Sequence, residues 1–491
     1  MFQTLSNAVP RDKAYPARTH TLDVRRRVLA GTIYDVLSYE FHDEKSGGGE
    51  YIPLRQRRPS VRYNLCRLVV QDTVALLFGS GRFPVVESPS KEVTETLAEL
   101  VRKTKLPQAM LDAALRGSVG SVVVHLRVLS GRIYWDVLDT DYLTPEYDPN
   151  APDTLLRMTE RYKVRGDVLQ AQGYKIERDR LQSWFWFQRV WDSEAETWFE
   201  PWPVAMESDE AVVPKPDKKR TTVHGLGFVP MVWIKNLPGG TGIDGACTFW
   251  PAIDTSIEID YQLSQGGRGL KYSSDPLLLI KEPAAPDESF VRSGNNALVV
   301  SADGDAKLLE ISGGAVSSVI EYARFLRELA IESIHGNRAA ADRISAAQSG
   351  RAIELMYQPL IFVADQMRGT YGEGGILTLM RMVAEASQKY ELVLGGKPLG
   401  RIDPEGLDLR WPDWFAPKPH DKQATVNALS VLREAGLMSR ETGVRLADAL
   451  LDIPDGVPAE LARIEGEERQ ARLEAAELPG AQFKVTENAP T

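Results

Sequence analysis

The amino-acid sequence predicts an α+β fold, and three observations predict it. Residues 61–116 carry apolar positions at three- and four-residue spacing, residues 121–235 switch to β-branched and aromatic runs cut by turn residues, and helical spacing returns from residue 246. Strands that follow one another, instead of alternating with helices, point to antiparallel sheets. The 491 residues suffice for two to four units at roughly 100–200 residues each. With 43% hydrophobic and 26% charged residues, most of the chain can bury a core.

The elements follow in order. Residues 21–38 read as a helix ending before the Gly-rich loop 46–49. Residues 61–78 place Leu65, Leu68, Val69 and Leu76 on a helical period, and Gly79, Gly81 and Pro84 stop it. Helices are expected at 91–103 and 106–116, then a hairpin 121–129/131–138 around a Ser-Gly turn. Antiparallel signals continue at 156–165, 174–177, 183–190, 197–201 and 228–235. From residue 246 a helix carries Phe249, Ile253, Ile257 and Tyr261 on one face. Pro251 sits in its first turn, where a missing N–H is tolerated. It fades near 271–275 into a small β insert with strands at 277–280, 297–300 and 307–311. A second helix, 316–334, aligns Val319, Ala323, Leu326, Ala330 and Ile334. An Ala-rich polar stretch, 335–348, leads into a long helical pattern, 349–390, which Gly369, Gly372, Gly374 and Gly375 should break or kink. Residues 391–414 are strand-like. Pro417 and Pro419 mark a boundary, followed by helices 421–435, 440–451 (capped by Ser439) and about 458–477, then a tail.

Several chemistries find no support. Gly240-Thr-Gly242-Ile-Asp-Gly245 matches a dinucleotide fingerprint, but the acid it needs about 20 residues on falls inside a helical pattern. A flexible connector is the expected role. Gly395-Gly396-Lys397 lacks the leading glycine of a phosphate loop, and Pro398 replaces its Ser/Thr. His20, His42, His125, His224, His335 and His420 are scattered without metal-ligand spacing, so no metal or cofactor is expected. Cys66 and Cys247 read as buried, reduced thiols. No apolar run reaches the ~18 residues of a membrane span, and the start lacks a signal-peptide core. Trp184, Phe185, Trp186, Phe187, Trp191, Trp198 and Trp202 could form a sugar or base platform, but alternation on strands favours a sheet core or a subunit contact. Lys215–Arg220 reads as a solvated basic loop.

Two helices flanking an insert of about forty residues, too small for its own core, make an excursion. The alternative being a β-arm that lies back on its own domain, the excursion is expected to borrow burial from another chain. Copies packed head to tail in a closed ring would supply it.

The order of these elements resembles the portal proteins of tailed double-stranded-DNA phages. The residues carrying the likeness are Asn64–Val70 leading to Leu77-Phe78-Gly79, and Gly117–Val124 with Ile133, Asp139 and Pro145-Glu-Tyr-Asp148. Further on come His224–Trp233, Ser345–Leu360 with Ser349-Gly350-Arg351-Ala352, and Ala435–Thr442. The resemblance implies a portal fold with an α/β wing, a two-helix stem, a small β-containing clip and a helical crown. By position, the wing is 1–245 plus 351–418, the stem 246–271 and 314–336, and the clip 272–313. The tunnel loop is 337–350, the crown 420–475 and the tail 476–491.

It further implies a non-enzymatic ring, usually of twelve copies, at a capsid vertex of the virion, assembled in the host cytoplasm. DNA would pass through its axis during packaging and ejection, held weakly and without sequence preference. The partners implied are the terminase large subunit, head–tail adaptor or neck proteins, and the major capsid and scaffolding proteins, with no membrane. The net charge of −10 agrees with a conduit that must not trap DNA. Candidate lumen groups are Arg338, Arg343, Ser345 and Gln348 on the tunnel loop, with Arg268 and Lys271 at the end of the first stem helix. Lys281, Glu282, Asp287, Glu288, Asp303 and Asp305 are the expected clip rim facing motor or neck proteins. Two alternatives stand beside this reading: a carbohydrate-acting or other hydrolase using the aromatic strands, and a neck or baseplate protein without a DNA lumen.

Overall fold

The computed structural model describes residues 1–204, 213–274, 277–283, 300–309, 314–335, 350–415, 419–451 and 456–477. The chain forms two compact units, residues 1–412 and 413–491.

The first unit opens with α1 (Phe2–Ala8), α2 (Ala17–Ala30), α3 (Leu65–Phe78), the short strand β1 (Val85–Glu87), α4 (Lys91–Lys103) and α5 (Leu106–Gly117). Next come β2 (Ser121–Leu129), β3 (Arg132–Asp139), β4 (Leu143–Tyr147), β5 (Leu155–Arg165), α6 (Gly166–Ala171), β6 (Trp184–Trp191), β7 (Ala195–Trp198), β8 (Trp202–Pro203), β9 (Thr222–Val223) and β10 (Met231–Lys235). The excursion consists of α7 (Ile253–Ser274), β11 (Leu277–Pro283), β12 (Val300–Leu309) and α8 (Gly314–Ser333). The chain then returns through α9 (Gly350–Met367), a π-helical stretch (Arg368–Leu377) and α10 (Thr378–Lys389), and closes with β13 (Val393–Leu394), β14 (Lys397–Pro398) and β15 (Asp408–Arg410).

Among the described residues the strands pair antiparallel, as the clustered strands predict. A three-stranded sheet runs β10-β2-β3 and a larger one β4-β5-β6-β7-β9. The β2–β3 hairpin turns at Ser130 and Gly131, both at positive φ as a two-residue turn of this hand requires. The two sheets share a core of Val123, Leu143, Met158, Trp191 and Met231. A larger core joins α2, α3, α5, β2, the π stretch and α10 through residues such as Leu22, Val70, Leu77, Met110, Val122, Ile376 and Val383.

Several expectations need correction. Residues 174–177 are not a strand; Tyr174 and Ile176 pack on Phe185 and Phe187 from a loop. The strand expected at 307–311 begins at Val300, so the described part of the insert is a two-stranded ladder with Leu277 opposite Leu309; residues 297–299 of the other expected strand lie outside the described residues. The first excursion helix starts at Ile253, because residues 250–252 form a tighter turn around Pro251. Residues 1–60 join the core through Phe2, Leu5, Val9, Leu22 and Phe41. The helix expected at 21–38 is α2, Ala17–Ala30, followed by a short turn at Ile33–Val36.

The glycine-rich break in the long helix is a widened stretch rather than a kink. There Gly372 lies against Trp411 and Gly375 against Ile234, where an added Cβ would come within 2.6 and 2.9 Å. Backbone approaches of this kind need residues without a side chain.

The second unit contains α11 (Pro419–Glu434), α12 (Arg440–Leu451) and α13 (Gly456–Glu477). Gly436 ends the first in a left-handed conformation, and Ser439 Oγ accepts the Thr442 amide at 3.2 Å as the cap of the second. Arg440 ties α12 to α13 through Glu468 at 2.9 Å.

Candidate functional site

The excursion α7–β11–β12–α8 is the feature that composition alone does not explain, and its root is polar and deeply set. Asp260 on α7 accepts the Tyr34 hydroxyl and the Tyr63 amide, each at 2.7 Å. Burial lifts the Asp260 carboxyl against the pull of these donors and pushes the Tyr34 hydroxyl far up, so Tyr34 stays a donor. Tyr261 donates to the Arg57 carbonyl at 2.8 Å, and Ser264 Oγ accepts the Val61 amide at 3.0 Å. Arg57 is itself fully buried, donating to the Ile52 carbonyl from two nitrogens at 2.9 and 2.5 Å. Residues 52–64, mostly loop with one short turn of helix at Leu54–Gln56, therefore clamp the base of α7. The four-residue spacing of Ser256, Asp260 and Ser264 along α7 was the available signal.

Above the root, Ile259, Ala330, Ile331 and Ile334 pack on Leu65 and Val69. The helices close tightly because Gly266 stands where a Cβ would lie 3.0 Å from Val319. The opposite face of α8 is uncovered: Tyr322, Phe325 and Leu329 are 45%, 55% and 44% exposed. Their spacing, three and four residues apart, puts them on one stripe.

The structure accounts for the sequence-based candidates unevenly. Arg268 gives its guanidinium to Glu44. Lys271 lies in the last turn of α7. Lys281 and Glu282 lie on β11, and Asp303 and Asp305 on β12, with Lys281 in register with Asp305. Arg338, Arg343, Ser345, Gln348, Asp287 and Glu288 lie outside the described residues.

The decoys resolve as structure. Asp244 accepts Arg18 at 2.5 and 2.8 Å, and Gly245 donates to the Gly120 carbonyl at 2.9 Å. The 240–245 loop is thus pinned in place, not a flexible connector. Cys66 and Cys247 are buried free thiols, with burial raising them to about 12 and about 11. Arg220 in the basic loop lies 3.8 Å from the Tyr174 ring centre and donates to the Gln172 carbonyl, so that loop is docked rather than wholly solvated. Among the described residues no His/Cys/Asp/Glu group could hold a metal, and no helix is long and apolar enough to cross a membrane.

The sequence pattern of the family described as "Phage portal protein, SPP1 Gp6-like" matches residues 53–473. The chain belongs to this family. It is a phage portal protein, of a structural family found in the virion. No curated protein matches the chain. The portal match begins at the segment that clamps α7, spans the whole excursion and ends within α13.

Proposed function

We propose that this portal protein forms a closed ring, of twelve copies by the family's usual number, whose axis conducts DNA into and out of the capsid. In this reading residues 1–245 and 351–418 are the wing, 246–271 and 314–336 the stem, 272–313 the clip, 337–350 the tunnel loop and 420–475 the crown. The clip rim (Lys281, Glu282, Asp287, Glu288, Asp303, Asp305) docks the terminase large subunit and later the neck proteins. The outer body meets the major capsid and scaffolding proteins.

The observation that carries the reading is the paired-helix excursion within the family match. Its uncovered stripe adds support: three large apolar side chains on one helix face call for a neighbour, since burial is worth roughly 25 cal/mol per Å². Charge also fits, because twelve copies would carry about −120, which opposes adsorption of the duplex. Contact then falls to sparse groups, with Arg338 and Arg343 the first of them. Neither the hydrolase nor a lumen-free neck protein has an observation among the described residues in its favour.

Native mass spectrometry and negative-stain imaging test the ring. Annular particles are expected, and Phe325→Glu should shift the population toward monomers while the circular dichroism spectrum stays unchanged. A monomer or dimer under all conditions would overturn the ring. Unchanged packaging by an Arg338→Ala, Arg343→Ala double variant would remove that pair from the lumen.

A further inference from the structure

The aromatic cluster of β6 is divided by the sheet. Phe185, Phe187 and Trp191 point into cores, whereas Trp184, Trp186 and Trp202 occupy the other face. Trp184 is 53% exposed. The register sets Arg161 opposite Gln188, Lys163 opposite Trp186 and Arg165 opposite Trp184, so these cations share the outer face with the tryptophans. The Arg161 guanidinium lies 4.3 Å from the Trp186 ring centre and 5.5 Å from that of Trp202.

The cations on this face differ in one respect. Lys163 is held by Asp12 at 2.5 Å, Arg165 by Asp167 at 2.9 Å, and Arg157 faces Glu146 at 3.7 Å. Arg161 is exposed and has no carboxylate partner among the described residues. Stacking against two indoles fixes the plane of its guanidinium and leaves N–H edges for an acceptor. The same stacking occupies ring surface of Trp186 and Trp202 that a base or sugar would need.

We propose that this face is a docking surface for a carboxylate-bearing polypeptide segment. A carboxylate takes the Arg161 fork, and an apolar side chain further along the segment covers Trp184. Charge decides between a polypeptide and a nucleic acid. Tight binding of a polyphosphate requires several unpaired cations, and here the neighbouring cations already face acids. A guanidinium without a carboxylate partner among the described residues, stacked on two half-buried indoles with the exposed Trp184 further along the same face, matches the composition of protein–protein hot spots, which are rich in Trp, Tyr and Arg.

Fluorescence anisotropy with the full chain tests this. The probes are a labelled decapeptide alternating aspartate with phenylalanine, its asparagine counterpart and a twenty-nucleotide oligothymidylate. The aspartate peptide should bind at least tenfold more tightly than the asparagine one. Arg161→Ala should abolish that preference, Arg161→Lys should restore it only in part, and thermal melting should be unchanged in both. Equal binding of the two peptides, a preference that survives Arg161→Ala, or binding of the oligonucleotide alone would overturn the proposal. So would aspartate-peptide binding that emerges only after Glu207, Asp209 and Glu210 are changed to Ser, because the chain's own acids would then be the occupant. Native mass spectrometry of the same variants keeps ring formation a separate outcome.

Discussion

At the scale of single residues, the informative side chains are polar groups placed where water cannot reach. His125 sits between the sheets, 6% exposed, with Trp191 beside it and Asp136 4.0 Å away, too far for a hydrogen bond. Burial first, then Arg127 and Arg189, and more weakly His224, hold it down at about 3. Its folded value lies below the unfolded value of about 6.5. Its contribution to stability is therefore complete above that pH and lost as pH falls toward 3. Urea midpoints should decline over this window with a His125 component of up to about 1.4 kcal/mol per pH unit, and His125→Phe should remove that component. A wild-type and variant pair with parallel pH profiles would contradict it. At the root of the excursion, Tyr34→Phe should cost about 1–3 kcal/mol, because Asp260 would keep its burial and lose a donor; equilibrium unfolding measures this.

Residues of this kind were the least legible in the sequence. Asp260 reads as one more acid inside a helical pattern, and Arg57 as one of several arginines before a helix. Their partners, Tyr34, Tyr63 and the Ile52 carbonyl, lie far from them in sequence or in a loop, where no local pattern pairs them. Only tertiary contact turns them into a clamp.

At the scale of elements, legibility follows local pattern. α4, α5, the β2–β3 hairpin, β5, β6 and α8 stand within a few residues of expectation, because each carries an apolar period and a stop signal. Elements that misled lacked one or the other. Tyr174–Glu177 has strand-forming residues but packs as a loop under β6, and β12 contains Asp303 and Gly304, which read as a turn between two strands. The glycines at 369–375 correctly marked an irregularity, but not which of them carry close approaches. Gly372→Ala should crowd Trp411 and destabilise by about 1–3 kcal/mol. Gly369→Ala, with open space around it, should be neutral or slightly stabilising. Thermal melting of the two variants distinguishes them, and equal losses would mean that the wide helix yields as a whole.

At the scale of the whole molecule, an exposed apolar stripe, an acidic balance and an excursion with no core of its own converge on assembly. The family was legible from the order of segments even though single motifs were weak. The exposed stripe was not legible residue by residue, because Tyr322, Phe325 and Leu329 become conspicuous only once α8 has turned its other face to α7. Salt gives a further test. An interface built on that stripe should tolerate 1 M NaCl, where the Debye length is about 3 Å. Annular particles that dissolve on raising salt would assign the contact to charge instead.

The stacking of Phe78 with Trp411, ring centres 6.2 Å apart, has a consequence for biogenesis. A nascent polypeptide emerging from a ribosome at roughly 5–20 residues per second carries Phe78 for somewhere near 20–70 seconds before its tryptophan partner is made. During that interval the early helices must wait with oily surface showing, so premature termination anywhere upstream of Trp411 should yield insoluble fragments rather than miniature subunits.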